Sequence, residues 1–135
     1  MAPRRTTRIL LVDSDTSMLD LLRITLKGLG YRLESVVDGR EAMQAVQQQW
    51  PDLIIMELVL PVVDGVSLLR WLREQHGMEI PVLVLTALDR PGIYDIVHEL
   101  GVSGLVYKPV RRSQLLRQVE KLVGNSRAAV TASAD

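Results

Sequence analysis

The chain contains no cysteine, which excludes disulfides and thiolate metal sites and fits a reducing compartment. It carries no excess charge of either sign, because sixteen Lys and Arg cancel sixteen Asp and Glu. Its net field therefore draws it toward neither nucleic acid nor a membrane surface. Long hydrophobic runs are missing as well. The apolar "ILLV" behind the basic start "MAPRRTTR" stops at Asp13, too soon for the core of a signal peptide. No stretch approaches the length needed to span a bilayer. There is no internal repeat, and 135 residues make one domain of ordinary size with a real core to bury. These absences lead to the expectation of a cytoplasmic domain. Its body covers residues 8–123, with a flexible basic N-terminus over 1–7 and a mobile tail, "GNSRAAVTASAD", over 124–135.

What is present alternates. "RILLVD" (8–13), "DLIIME" (52–57) and "PVLVLT" (81–86) are short continuous apolar runs, as in strands buried on both faces of a parallel sheet. "YRLESVV" (31–37) alternates weakly and reads as an edge strand, and "GLVYK" (104–108) as a final strand. Between them lie helical patterns. Residues 16–29 carry Met18, Leu19, Leu22, Leu26 and Leu29 on one face before Gly30. Residues 38–50 turn Ala42, Ala45 and Val46 inward ahead of Pro51. Residues 65–75 do the same with Leu68, Leu69 and Leu72, and further helices cover 92–100 and 113–123. Five strand–helix units in strict alternation predict an α/β fold, a five-stranded doubly wound parallel sheet of flavodoxin-like (βα)5 architecture.

In such sheets, sites form at the carboxyl ends of the strands. Those ends read Asp13, Ser14 and Asp15 after the first strand, Glu57 after the third, Thr86 and Ala87 after the fourth, and Lys108 and Pro109 after the fifth. Each residue alone has a bland explanation, with Asp15 as a helix N-cap and Lys108 as a solvated loop residue. Together they place carboxylates, a hydroxyl and an ammonium on one edge, where chance would scatter polar groups to both ends. Glu57 sharpens the point, because an ionised carboxylate ending an apolar run is costly unless it is paired or hydrated.

Taken in order, "ILLVDSD", "DLIIMELVLPVVDG", "VLVLTAL" and "VYKP" resemble the receiver domain of bacterial response regulators over residues 8 to 123. The resemblance implies an aspartate at the end of the third strand that accepts a phosphoryl group from a sensor kinase. It also implies an acidic pair after the first strand that helps hold Mg²⁺, and a threonine and a lysine that engage the phosphoryl oxygens, usually beside a cis Lys-Pro bond. Carried over, Asp13 matches the first acid, Thr86 with Ala87 and Lys108 match the phosphoryl-contact positions, and Pro109 is the cis-peptide candidate. Pro61 with Asp64-Gly65 matches the loop after the third strand.

The sequence departs from that pattern at the chemistry. The phosphoacceptor position holds Glu57, and the second acid of the pair is Ser14. Leu105 stands where the family has its switch aromatic, and Tyr107 lies beside the lysine instead. Mg²⁺ prefers near-octahedral oxygen ligation, and a neutral hydroxyl at position 14 removes a charge and a good ligand. Metal binding is expected to be weak at most, on Asp13 and Glu57, and no cofactor is required. The Glu57 carboxylate stands one methylene, about 1.5 Å, farther from the backbone than an aspartate's. A displacement of that size costs orders of magnitude in an in-line transfer. It also carries a permanent negative charge toward Lys108 and Thr86, so Glu57 reads as a built-in partial mimic of the phosphorylated state. The same contact would serve a plain stabilising ion pair.

A rival from another class begins at the same residues. "ILLVDSDTSM" also resembles the first motif of haloacid-dehalogenase-like phosphatases, with Asp13 as nucleophile and Asp15 as general acid. That family needs a further acidic motif on a later strand. After Thr86 the acids are Asp89, Asp95, Glu99, Glu120 and Asp135, and none follows a strand as a pair. Elsewhere the signals are thin. His76 and His98 read as solvated or locally bonded, Trp50 and Trp71 as packing residues. Arg111, Arg112, Arg117 and Lys121 make the last helix basic on its outer side.

The sequence therefore predicts an atypical receiver domain of bacterial signal transduction, phosphorylation-independent or constitutively active-like, and no enzyme. Its partner would be a protein, either a sensor kinase or a downstream effector, or a second copy. Contact would run through the surface of the fourth helix, fifth strand and fifth helix, including Leu105, Tyr107 and Arg111, with no role for nucleic acid or membrane. The alternative within signalling is an Mg²⁺-dependent phosphoacceptor with residual activity.

Overall fold

Apolar runs with no polar interruption cannot leave either face in water, and the chain buries them in the middle of one sheet. The computed structural model describes residues 6–77 and 79–134. The strands are β1 (Arg8–Val12), β2 (Arg32–Val36), β3 (Leu53–Met56), β4 (Val82–Thr86) and β5 (Gly104–Tyr107), and all pair in parallel in the order β2-β1-β3-β4-β5. The helices between them are α1 (Thr16–Leu26), α2 (Gly39–Gln48), α3 (Gly65–His76), α4 (Ile93–Glu99) and α5 (Arg112–Ala134). The doubly wound flavodoxin-like sheet read from the alternation is the observed one. The weakly alternating "RLESV" of β2 lies at an edge, with its side chains half exposed, while β3 and β4 are buried throughout.

Side chains on successive strand residues point to opposite faces, which divides the core in two. Ile9, Leu11, Ile55, Leu83 and Leu85 pack with Leu19, Leu22 and Leu26 of α1 and Leu115 and Val119 of α5. On the other face Leu10, Val12, Ile54, Met56, Val82 and Val84 meet Ala42 and Val46 of α2, Leu68, Leu69 and Leu72 of α3, and Val97 of α4. Strand order reverses between β1 and β3, the switch point at which such sheets open a crevice.

Local signals set the helix starts. Asp15, Asp38 and Asp64 each accept hydrogen bonds from backbone amides in the first turns of α1, α2 and α3. Two helix ends differ from the sequence reading. α1 stops at Leu26 rather than 29, with Gly28 at a φ of 83°, so Leu29 lies outside the helix and is 53 % exposed instead of joining the core. α5 runs past the expected end at Val123 to Ala134. One glycine at 124 costs about 1 kcal/mol in a helix, and the alanines behind it are the best helix formers. The expected flexible N-terminus falls, for residues 1–5, outside the described residues.

Two features had no sequence-level signal. Arg73, near the end of α3, donates to four backbone carbonyls: Leu100 at 2.7 Å, Ile80 at 2.8 Å, and Gly77 and Gly101 at 3.1 Å. Burial pushes its guanidinium below the usual arginine range, and the carbonyl dipoles at the ends of α3 and α4 compensate the charge. The second feature is Val62, in the loop after β3. It is 72 % exposed and sits at a φ of 70°, at the centre of a turn closed by the Val63 amide on the Pro61 carbonyl at 2.8 Å. A β-branched residue in that region is strained, and cost there runs to about 1–3 kcal/mol. Val62→Asn, which tolerates positive φ, should raise the stability by about 1 kcal/mol and the melting temperature by about 3 °C. A calorimetric scan showing no gain would mean that the loop relaxes around valine without cost.

Candidate functional site

Strand register brings the site together. Val12 lies opposite Met56, and the Glu57 amide donates to the Val12 carbonyl at 2.9 Å, so Asp13 and Glu57 leave adjacent strands side by side. Thr86 lies opposite Tyr107, and the Lys108 amide donates to the Thr86 carbonyl at 2.8 Å. All four residues emerge on one edge. Asp13 is 3 % exposed, Glu57 5 % and Thr86 0 %, burial that carboxylates accept only with partners. Gly65 closes the loop back over the site, where a Cβ would stand 2.5 Å from the Leu58 Cα.

The partners are present. Lys108 Nζ donates to Asp13 Oδ2 at 2.7 Å and to Glu57 Oε1 at 3.4 Å. Lysine therefore reaches past β4 and β3 to the acid after β1, and that shorter contact was not foreseen. Glu57 Oε1 also accepts from the Ala87 amide at 3.2 Å, and Oε2 accepts from the Leu58 amide at 2.7 Å. Burial pushes the Glu57 carboxyl up, but the Thr86 hydroxyl, the Ala87 and Leu58 amides and the Lys108 ammonium outweigh it. They hold the group below the usual carboxylate range. Burial pushes Lys108 down, and the Asp13 hydrogen bond and charge, followed by those of Glu57, raise it above the usual lysine value. The Thr86 hydroxyl accepts from the Leu88 amide at 3.0 Å.

The other positions divide. Asp15 is exposed and caps α1, accepting from Ser17 at 3.0 Å and Met18 at 3.4 Å, while its own amide donates to Asp13 Oδ1 at 2.9 Å. Ser14 is exposed at the mouth. The Lys108–Pro109 peptide bond is cis. Leu105 is half-buried against the core on the α4 side, so Tyr107, 40 % exposed, and Arg111 present the outer part of the β5 surface. His76 is neither solvated nor hydrogen-bonded. Its ring lies edge-on to Trp50 at 4.5 Å and Trp71 at 5.7 Å, with both nitrogens buried and unpartnered. His98 stacks on Tyr94. The residue missed from sequence is Leu58, because a backbone donor carries no side-chain signal, whereas Ala87 stands among the phosphoryl-contact positions that the sequence indicates.

The model of the family described as "Response regulator receiver domain" matches residues 9–120. The chain belongs to this family. The receiver domain is 32 % identical over 126 residues to the alkaline phosphatase synthesis transcriptional regulatory protein PhoP of Bacillus subtilis, covering 93 % of this chain and 52 % of that protein. It is 36 % identical over 114 residues to the DNA-binding response regulator MtrA of Mycolicibacterium smegmatis, covering 83 % and 48 %. The chain thus spans about half the length of these curated relatives. Among solved structures, the signal receiver domain of a LuxO repressor protein from Vibrio parahaemolyticus superposes with a TM-score of 0.89 at 26 % identity, covering 95 % of this chain and 98 % of that one. The receiver domain of a sensor histidine kinase from Pseudomonas aeruginosa PAO1, with a magnesium ion in its active-site cleft, superposes at 0.79 and 32 % identity, covering 89 % and 99 %. Membership in the receiver family decides against the phosphatase reading of Asp13.

The donor set in this receiver domain is a poor one for Mg²⁺. Its two buried carboxylates have all four oxygens engaged by Lys108 and by the amides of Asp15, Leu58 and Ala87. Position 14 adds only a hydroxyl, and no cluster of three acidic or histidine side chains suited to a metal occurs among the described residues. No helix among the described residues is long and apolar enough to cross a membrane.

Proposed function

We propose that this receiver domain signals without being phosphorylated, catalyses no reaction of its own and works through protein contacts in a conformation set by Glu57. The observation that supports the reading best is the occupancy of the pocket. The donors that a phosphoryl group would need, the Lys108 ammonium and the Ala87 amide, already bind the Glu57 carboxylate. A side chain one methylene longer than aspartate delivers its charge to those donors and removes the acceptor oxygen from its attacking position. No Mg²⁺ is required. Acetyl phosphate, offered with and without Mg²⁺, should leave the intact mass of the chain unchanged. A phosphoryl adduct mapped to Glu57 or Asp13 would overturn the reading.

The output of such a domain is contact with a sensor kinase, a downstream effector protein or a second copy. The surface that suits it is α4, β5 and α5, where Tyr107 and Arg111 are exposed. PhoP and MtrA are named as transcriptional and DNA-binding regulators and are about twice as long. The present domain is assigned the protein-contact part of such a task. Glu57→Gln keeps an acceptor for Lys108 and removes the charge, so amide chemical shifts should change along β5 and α4 as well as at Ala87. Changes confined to Leu58, Ala87 and Lys108 would reduce Glu57 to one member of a structural ion pair.

A further inference from the structure

The α1 helix buries Leu19, Leu22 and Leu26 and turns a second apolar face to water. Leu21 is 46 % and Ile24 66 % exposed. Asp20 and Lys27 stand exposed around them and have no ion-pair partner among the described residues. At about 100° per residue, Ile24 points directly away from the core. Asp20 and Lys27 share one flank, about 10 Å apart along the axis, and Leu21 takes the other flank.

We propose that this face binds the same face of a second copy of the chain, forming an antiparallel α1–α1 pair about a two-fold axis near residues 23 and 24. A two-fold axis perpendicular to both helices sets each flank against the same flank of the partner. Asp20 of one copy then meets Lys27 of the other, twice, and Ile24 meets its own mate at the axis. The order acid, apolar, apolar, base is its own complement when reversed. A parallel two-fold pair would set the Asp20 and Lys27 flank against the Leu21 flank of the partner and leave the charges unpaired, so the charges select the antiparallel arrangement. The equal numbers of acidic and basic residues leave no net repulsion between copies. A patch built on one helix falls below the size of stable interfaces, which makes the pair weak, concentration-dependent and sensitive to salt. This surface is separate from α4, β5 and α5 and does not depend on how Glu57 acts.

Sedimentation of the full chain over a concentration series in low salt tests the pairing. The mass should rise from monomer toward dimer, and Ile24→Glu should hold it at monomer. Asp20→Lys and Lys27→Asp should each weaken association about tenfold or more, and the double variant should restore it by exchanging the partners. All these positions are exposed, and circular dichroism would check that each variant stays folded. A parent that is monomeric throughout overturns the proposal. So does a dimer that survives Ile24→Glu, including one lost on Tyr107→Glu instead, or a double variant as weak as either single one.

Discussion

Glu57→Asp alone should leave the domain nearly inert toward acetyl phosphate, within about tenfold of the parent, whereas Glu57→Asp with Ser14→Asp should react at least about a hundredfold faster. Shortening the side chain withdraws its oxygens by about 1.5 Å and releases the Ala87 amide and Lys108, which now bind Glu57 Oε1. It does not improve the donor set, because position 14 still offers a neutral hydroxyl at the mouth of the site. The second change adds a third carboxylate beside Asp13, and the double variant should also bind Mg²⁺ measurably in a titration. Phosphoprotein counted by intact mass separates the two outcomes. If Glu57→Asp reacts as fast as the double variant, Ser14 is not what disables the site.

Lys108→Ala should cost about 2–4 kcal/mol at neutral pH, or roughly 7–14 °C in melting temperature. Among the described residues the ammonium is the cation paired with both Asp13 and Glu57, and removing it strands two buried carboxylates. The pH dependence has a definite sign. Glu57 is held below its ordinary value, so its contribution is present above the usual carboxylate range and is lost as pH falls through its lowered value. Lys108 is raised, so its contribution is full below the usual lysine value and is lost as pH climbs past the raised one. Between these limits the parent keeps both contributions. The penalty of Lys108→Ala should therefore be largest around neutrality and shrink in acid, where the stranded Glu57 carboxylate can take up a proton. Denaturant melts from pH 7 to pH 4 measure it. An unchanged melt at pH 7, or a penalty that stays constant into acid, would contradict the pairing.

Much of the site was legible because continuous apolar runs end at Asp13, Glu57, Thr86 and Lys108, and a parallel sheet sends all such ends to one edge. The choice of partner was not legible. Lys108 lies closer to Asp13 than to Glu57, at 2.7 against 3.4 Å, and that preference depends on register and strand order, which no spacing along the chain encodes. The backbone donor of Leu58 was invisible for a simpler reason: every residue except proline has an amide, and only the fold decides which ones converge. Leu29 kept helical spacing with Leu22 and Leu26, yet the chain leaves the helix at Lys27, and spacing alone cannot report where the last hydrogen bond falls. Val62 gave no warning either, since a strained φ is forced on it by Pro61 and Val63 closing the turn.

The grip of Arg73 has a mechanical consequence for α4. The guanidinium holds the carbonyls of Leu100 and Gly101 at the far end of that helix and those of Gly77 and Ile80 beyond α3. The opposite end of α4 begins at Gly92, whose φ of 89° carries no side-chain cap. One end is clamped by a charge that stays fixed across the physiological pH range, and the end nearer the Glu57 pocket has no side-chain cap and is held by the packing of Ile93 in the core. Any displacement of α4 would then be a swing about Leu100, like a lever on a fulcrum. Its greatest travel would come at the exposed Tyr94, with the buried Ile93 repacking beneath it, so a small change beside Ala87 would be magnified where the helix begins.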